Sequence, residues 1–240
     1  MNALKKNIYI SIKAFIYNKN IINKIINIKI KNKKKMTDED NFDVLVKLVI
    51  LGDTAVGKSN YLYRFVDGDF NPVHVSTVGF DFKSRVVEMP KSKKLVKFQI
   101  WDTAGQERYM SINKNLFQRV QGIILMYDIS KKESFKNLNI WMNHIKENSN
   151  GSPIVLIGNK SDLDSDREVN KEEGEKYAKE NKMTFFEASA KSGANVEESF
   201  LHLGEIIIKD DKFIENREKS KTEYVVSKNT SNKDNKKKCC

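Results

Sequence analysis

Gly52, Asp53, Thr54, Ala55, Val56, Gly57, Lys58 and Ser59 (GDTAVGKS) carry the spacing G-x-x-x-x-G-K-[ST], which suits a chain of phosphates. The glycines let the backbone turn sharply and bring N–H groups round a phosphate. The N-terminus of a helix opening near Lys58 adds partial positive charge. In this arrangement Lys58 reaches the terminal phosphates and the Ser59 hydroxyl ligates Mg²⁺. Taken alone, the loop specifies a nucleoside triphosphate and no particular base.

Three further clusters carry compatible chemistry. In WDTAGQ, Asp102 could hold a Mg²⁺-bound water, Gly105 could present its N–H to the terminal phosphate, and the Gln106 amide could orient an attacking water. In NKSD (Asn159, Lys160, Ser161, Asp162), the Asp162 carboxylate can accept from the N1–H and the exocyclic amino group of guanine. Adenine offers no donor at those positions, and a buried acceptor left unpaired rejects the wrong base sharply. Lys160 could lay its stem along the base, and Ser189, Ala190 and Lys191 could give backbone N–H groups to the guanine oxygen.

These clusters need elements to hold them. Residues 44–51 (VLVKLVIL) are apolar apart from Lys47, as in a strand buried on both faces. A helix follows to about Asp67, then a loop over 70–79. The alternating run 82–88, a charged turn over 90–94 and the run 95–101 read as a hairpin. Strands over 122–128, 154–158 and 185–188 then alternate with helices over 133–147, 171–180 and 196–213. Such alternation predicts a mostly parallel sheet covered on both faces, with its ligand at the carboxyl ends of the strands.

Composition bounds the partners. The 240 residues contain 43 Lys and Arg against 32 Asp and Glu, a net charge of +11. Residues 1–35 hold ten lysines and no arginine or acid, so only +1 remains for 36–240, and the charge does not argue for nucleic-acid binding. The only cysteines are Cys239 and Cys240, so no internal disulfide framework exists and a reduced, cytosolic setting fits. No run of 18 or more apolar residues occurs. Residues 1–35 are a low-complexity basic extension with Ile22, Ile25 and Ile26 at helical spacing. This stretch reads either as a membrane-surface or targeting segment or as no part of the native protein, whose start is then expected at Met36 with 36–43 as a leader. From 212 to 240 the sequence turns polar and Lys-rich, without the apolar content to fold.

In order and spacing, GDTAVGKS, STVGFDF, WDTAGQERY, GNKSDL and EASAK resemble the five nucleotide-binding boxes of the Ras superfamily. GFDF with WDTAGQER most resembles the Rab branch, and the terminal double cysteine resembles its prenylation signal. The resemblance implies a P-loop NTPase α/β fold, a small G-domain over 44–211 with a six-stranded, mostly parallel sheet and helices on both faces. It implies a GTP/GDP-regulated switch with Mg²⁺ that hydrolyses GTP slowly without an activating protein and recruits effectors for vesicle trafficking. Residues 52–60, Asn60 included, would surround the phosphates, and Phe70 would stack on the guanine face. Thr77 would be the second protein ligand of Mg²⁺ beside Ser59 and close to Asp102, and Gln106 the catalytic residue. The implied partners are a guanine nucleotide exchange factor, a GTPase-activating protein, a GDP dissociation inhibitor, Rab effectors and the prenylation machinery. The protein would act as a monomer, bind no nucleic acid, and cycle between cytosol and the cytosolic face of an intracellular membrane.

Departures from the family pattern bear on partners. Leu116, Phe117, Gln118, Arg119 and Val120 stand where Tyr-Tyr-Arg-Gly-Ala is usual, so an aromatic triad becomes Phe82, Trp101 and Leu116. His74 stands where a tyrosine is common, and the Thr54 side chain would crowd the γ-phosphate. Two adjacent thiols on a basic tail read as lipid acceptors, two chains giving stable anchoring at about 0.8 kcal/mol per buried CH₂. Two rival readings stand beside the switch: a non-hydrolysing guanine-nucleotide-dependent scaffold, and an ATP-using enzyme, which Asp162 opposes.

Overall fold

Strand β1 (Val44–Gly52) sets the architecture, because its alternate side chains leave in two directions. Val44, Val46, Leu48 and Ile50 bury into one apolar cluster, while Val49 and Leu51 bury into another. Both faces of the sheet are therefore covered. The computed structural model describes residues 41–72, 80–103, 117 and 119–210, and the side chains of Phe80 and Asp81 are outside that description.

The other strands are β2 (Phe80–Glu88), β3 (Leu95–Thr103), β4 (Gly122–Asp128), β5 (Ile154–Asn159) and β6 (Thr184–Glu187). They form one six-stranded sheet in the order β2-β3-β1-β4-β5-β6. Only β2 and β3 pair antiparallel, as the expected hairpin, with Phe82 opposite Trp101. The remaining pairings are parallel, which requires the helical crossovers the alternation predicted.

Helices α1 (Lys58–Asp67) and α5 (Val196–Lys209) cover the first face. Tyr61, Leu62 and Phe65 meet Phe200, Leu203 and Ile207 there, with Phe98 from the sheet. The Phe65 and Phe200 rings stack at 3.9 Å between centroids. Fully burying a side chain of this size stabilises by about 1.5–3 kcal/mol. On the second face lie α2 (Lys132–Lys136), α3 (Leu138–Asn148) and α4 (Lys171–Glu180). Leu138, Trp141, Met142, Ile145 and Ala178 pack there against Leu125, Tyr127 and Leu156. A reciprocal cap starts α4: the Asn170 side chain and the Glu173 carboxylate each accept from the other residue's backbone N–H.

The boundaries differ from the sequence reading in informative places. The helix expected over 133–147 is two helices parted at Asn137, whose side chain bonds outside the helix to Asp53. β3 runs on to Thr103 and so contains Asp102, because the pairing with β1 continues to Ile50 and the Thr103 hydroxyl donates to the Ile50 carbonyl at 2.9 Å. β6 begins one residue earlier than expected, at Thr184, and α5 ends at Lys209 instead of 213. No described helix is long and apolar enough to cross a membrane.

Candidate functional site

The turn after β1 is built on glycines that nothing else could replace without movement. A Cβ at Gly52, where φ is 139°, would lie 2.2 Å from the Met126 carbonyl oxygen. At Gly57, with φ 97°, it would lie 2.5 Å from Asn159 Nδ2. Between them Ala55 adopts φ 65°, a left-handed conformation costing an L residue about 1–2 kcal/mol. The chain then enters α1, its first turn closed by the Tyr61 N–H on the Gly57 carbonyl at 2.9 Å.

Lys58 is 5 % exposed, and its ammonium folds back onto its own loop, donating to the carbonyls of Gly52 at 2.9 Å and Asp53 at 2.7 Å. Burial drives its pKa down to about 8, against the pull of the Asp102 and Asp53 carboxylates. This is a buried cation held largely by neutral oxygens, placed where a phosphate would be a better partner. Ser59 Oγ donates to Asp102 Oδ2 at 2.5 Å, so the two expected metal contacts are brought together although 43 residues separate them. A hydroxyl and a carboxylate are hard oxygen donors, and the pair fits Mg²⁺. Thr54 is exposed, and Val56 is buried in the core.

The side chains of Asp53 and Asn60 are committed elsewhere. Asp53 accepts from Asn137 Nδ2 at 2.7 Å and from Trp141 Nε1 at 2.8 Å, which ties the loop to α3. Asn60 donates to the Asn71 carbonyl at 2.8 Å and accepts the Asn71 N–H at 3.3 Å. What these two residues can offer a phosphate is thus main chain. Phe70, just before Asn71, is half-buried against the α1/α5 cluster.

The second half of the site lies at the ends of β5 and β6. Asn159 is almost fully buried and bridges the halves: Nδ2 donates to the Val56 carbonyl at 2.8 Å, and Oδ1 accepts the Ala190 N–H at 3.2 Å. Lys160, with φ 66°, donates to the Ala55 carbonyl at 2.9 Å and pairs with the buried Asp128 carboxylate at 2.6 Å. Ser189 Oγ donates to Asp162 Oδ1 at 2.5 Å, and Lys191 Nζ lies 3.8 Å from Asp162 Oδ2. One donor on one carboxylate oxygen leaves acceptor capacity on Asp162 for a ligand.

Three residues absent from the sequence reading hold this end together. Arg64 Nε donates to the Ala190 carbonyl and Nη2 to the Lys191 carbonyl, both at 2.8 Å. Arg167 grips the Glu187 carboxylate with two bonds, of 2.6 and 3.1 Å, and so ties the loop after Asp162 to β6. Asp128 could have been noticed as a carboxylate at the end of an apolar strand. Thr77, Gly105, Gln106, Leu116, His74, Cys239 and Cys240 lie outside the described residues.

Residues 47–209 match the model of the Ras family. The chain is 45% identical over 168 residues to Ras-related protein Rab-13 of Rattus norvegicus, covering 70% of this chain and 82% of that protein. It is 44% identical over 168 residues to Ras-related protein Rab-15 of Homo sapiens, covering 70% of this chain and 78% of that protein.

Proposed function

The chain belongs to the Ras family, in its Rab branch, and from that premise we propose that it is a slow GTP-hydrolysing switch with the residue roles that follow. The observation that carries the reading is the Asn159 bridge, which makes the loop bearing Lys58 and the loops bearing Asp162 and Ala190 one continuous site. Backbone N–H groups of 52–60 receive the phosphates, and Lys58 exchanges two carbonyls for phosphate oxygens. Asp162 reads the two donors of guanine and Phe70 covers its face; within 189–191 the Lys191 N–H reads its oxygen, since the N–H groups of Ser189 and Ala190 donate to the Ala194 carbonyl and to Asn159 Oδ1.

Ser59 and Asp102, with Thr77, would hold Mg²⁺, which when bound neutralises charge on the phosphate oxygens. Gln106 orients the attacking water. Arg64, which bonds two carbonyls of the base loop, is engaged away from any developing charge on the γ-phosphate. That supports slow turnover until an activating protein supplies a cation in trans.

The domain layout follows: a G-domain over 44–211, with 212–240 as a tether carrying lipid on Cys239 and Cys240 through prenylation machinery. A coil of about 27 residues spans roughly 30 Å, room to work at the cytosolic face of a membrane. An exchange factor, a GDP dissociation inhibitor and Rab effectors of vesicle trafficking complete the cycle, with Phe82 and Trp101, 5.2 Å apart between ring centroids, on the effector side.

Single-turnover hydrolysis of Mg²⁺-bound GTP by the full chain, beside Gln106→Leu and with ATP as control, tests the reading. Slow GTP turnover that Gln106→Leu abolishes is expected, with ATP untouched. Tight GTP binding without turnover in either protein would replace the switch with the scaffold.

A further inference from the structure

The guanidinium of Arg64 makes more bonds than a helix end needs. One, from Nη1 to the Gly68 carbonyl, closes the last turn of α1, as basic residues at helix ends commonly do. The other two reach carbonyls 126 and 127 residues away, on Ala190 and Lys191. Both belong to the segment whose Lys191 N–H is assigned to the guanine oxygen.

A carbonyl turned toward that oxygen would repel it, whereas an N–H would bind it. The described peptide bonds are all trans, so each C=O and the following N–H point in opposite directions. Holding the Ala190 carbonyl on Arg64 therefore aims the Lys191 N–H away from Arg64. Holding the Lys191 carbonyl does the same for the Ser192 N–H, which donates to Ser189 Oγ at 3.0 Å and closes the turn. Two bonds from one planar fork, one to each of two successive peptides, restrict the rotation of both, which a single point charge cannot do.

We infer that Arg64 is a positioning residue for base discrimination: its fork sets the peptide planes at 190–191 so that a donor, and no acceptor, meets the six-position oxygen of guanine. The inference rests on the proposal that the Lys191 N–H reads that oxygen. The same guanidinium holds Gly68, two residues before Phe70, so one side chain ties the edge-reading segment to the one that covers the base.

The test compares GDP with 6-thioguanosine diphosphate, which keeps the N1–H and 2-amino donors facing Asp162 and carries a weakly accepting sulfur in place of the six-position oxygen. Affinities are measured by calorimetry on the full chain, with ADP as control. Wild type should prefer GDP over the analogue by roughly 10- to 100-fold, the worth of one or two hydrogen bonds in a buried site. In Arg64→Ala, GDP affinity should fall about tenfold or more while the analogue changes little, so the preference collapses. Arg64→Lys, which keeps the charge without the fork, should lose the preference too. Equal losses for both nucleotides would reduce Arg64 to a stabilising contact and overturn the inference, as would an unchanged preference in Arg64→Lys. Arg64→Gln carries the comparison if Arg64→Ala does not fold. A wild type that fails to prefer GDP over ADP would sink the guanine reading itself; a normal wild type with unaffected variants would sink only the role of Arg64.

Discussion

The phosphate end and the base end of the site are finished to different degrees. At the base end, side chains bond side chains and backbone across the fold: Asn159 to Val56 and Ala190, Ser189 to Asp162, Arg64 to Ala190 and Lys191. At the phosphate end the lysine rests on its own loop's carbonyls, with its pKa lowered by burial. The base end is preorganised, and binding there costs little rearrangement. The phosphate end stores an unfavourable charge that a bound phosphate would relieve. In the proposed switch, recognition would thus divide between a rigid reader and a charged latch.

Removing the latch should have the largest effect. Lys58→Met is expected to weaken GDP binding on the order of 1000-fold by fluorescent-nucleotide titration, as two charge-assisted bonds vanish. The melting temperature of the nucleotide-free protein should shift far less, and a matching loss of stability would break the contrast. The latch also has a pH signature. Free Lys58 loses its proton above about pH 8, and a bound phosphate raises that pKa, so GDP affinity should fall by up to tenfold per pH unit above that point. For the nucleotide-free protein the sign reverses. The unfolded chain holds this proton up to its ordinary value of 10.5, so the contribution of Lys58 to stability rises with pH from about 8 to 10.5.

Asn159→Ala addresses the reader. It strands the Val56 carbonyl and the Ala190 N–H, and should cost about 2–3 kcal/mol in denaturant unfolding before any nucleotide is added. A loss seen only in the complex would mean that the base end is not preorganised. The smallest effect belongs to Ala55→Gly, which releases the left-handed strain between the two ends. Relief offset by the greater entropy of glycine should leave a gain of no more than about 1 kcal/mol in the unfolding midpoint, with the slope unchanged.

What the sequence made legible follows from what is local. GDTAVGKS and NKSD are short segments whose backbone turns and side-chain chemistry are specified within a few residues, and Ser59 meets Asp102 as the motif chemistry required. The two-sided burial of β1 was legible from an apolar run that Lys47 alone interrupts. The supports were not, because nothing near Asp53 announces Asn137 and Trp141, 84 and 88 residues on, and no periodicity points Arg64 at Ala190. The break at Asn137 was hidden for the same reason, since its side chain bonds outside the helix. The loops bearing Thr77 and Gln106 fall outside the described residues, so their roles stand on the motifs alone.

The bond between Trp141 and Asp53 has an optical consequence. The chain has two tryptophans, and the indole N–H of the more deeply buried one, 3 % exposed, ends on a carboxylate of the phosphate loop. An excited indole is sensitive to a negative charge at its nitrogen, so any movement of the loop as Lys58 passes from carbonyl to phosphate is written into the emission of Trp141. With Trp101 replaced by Phe, the protein would carry its own fluorophore at the entrance to α1, reporting the arrival of a nucleotide without a label.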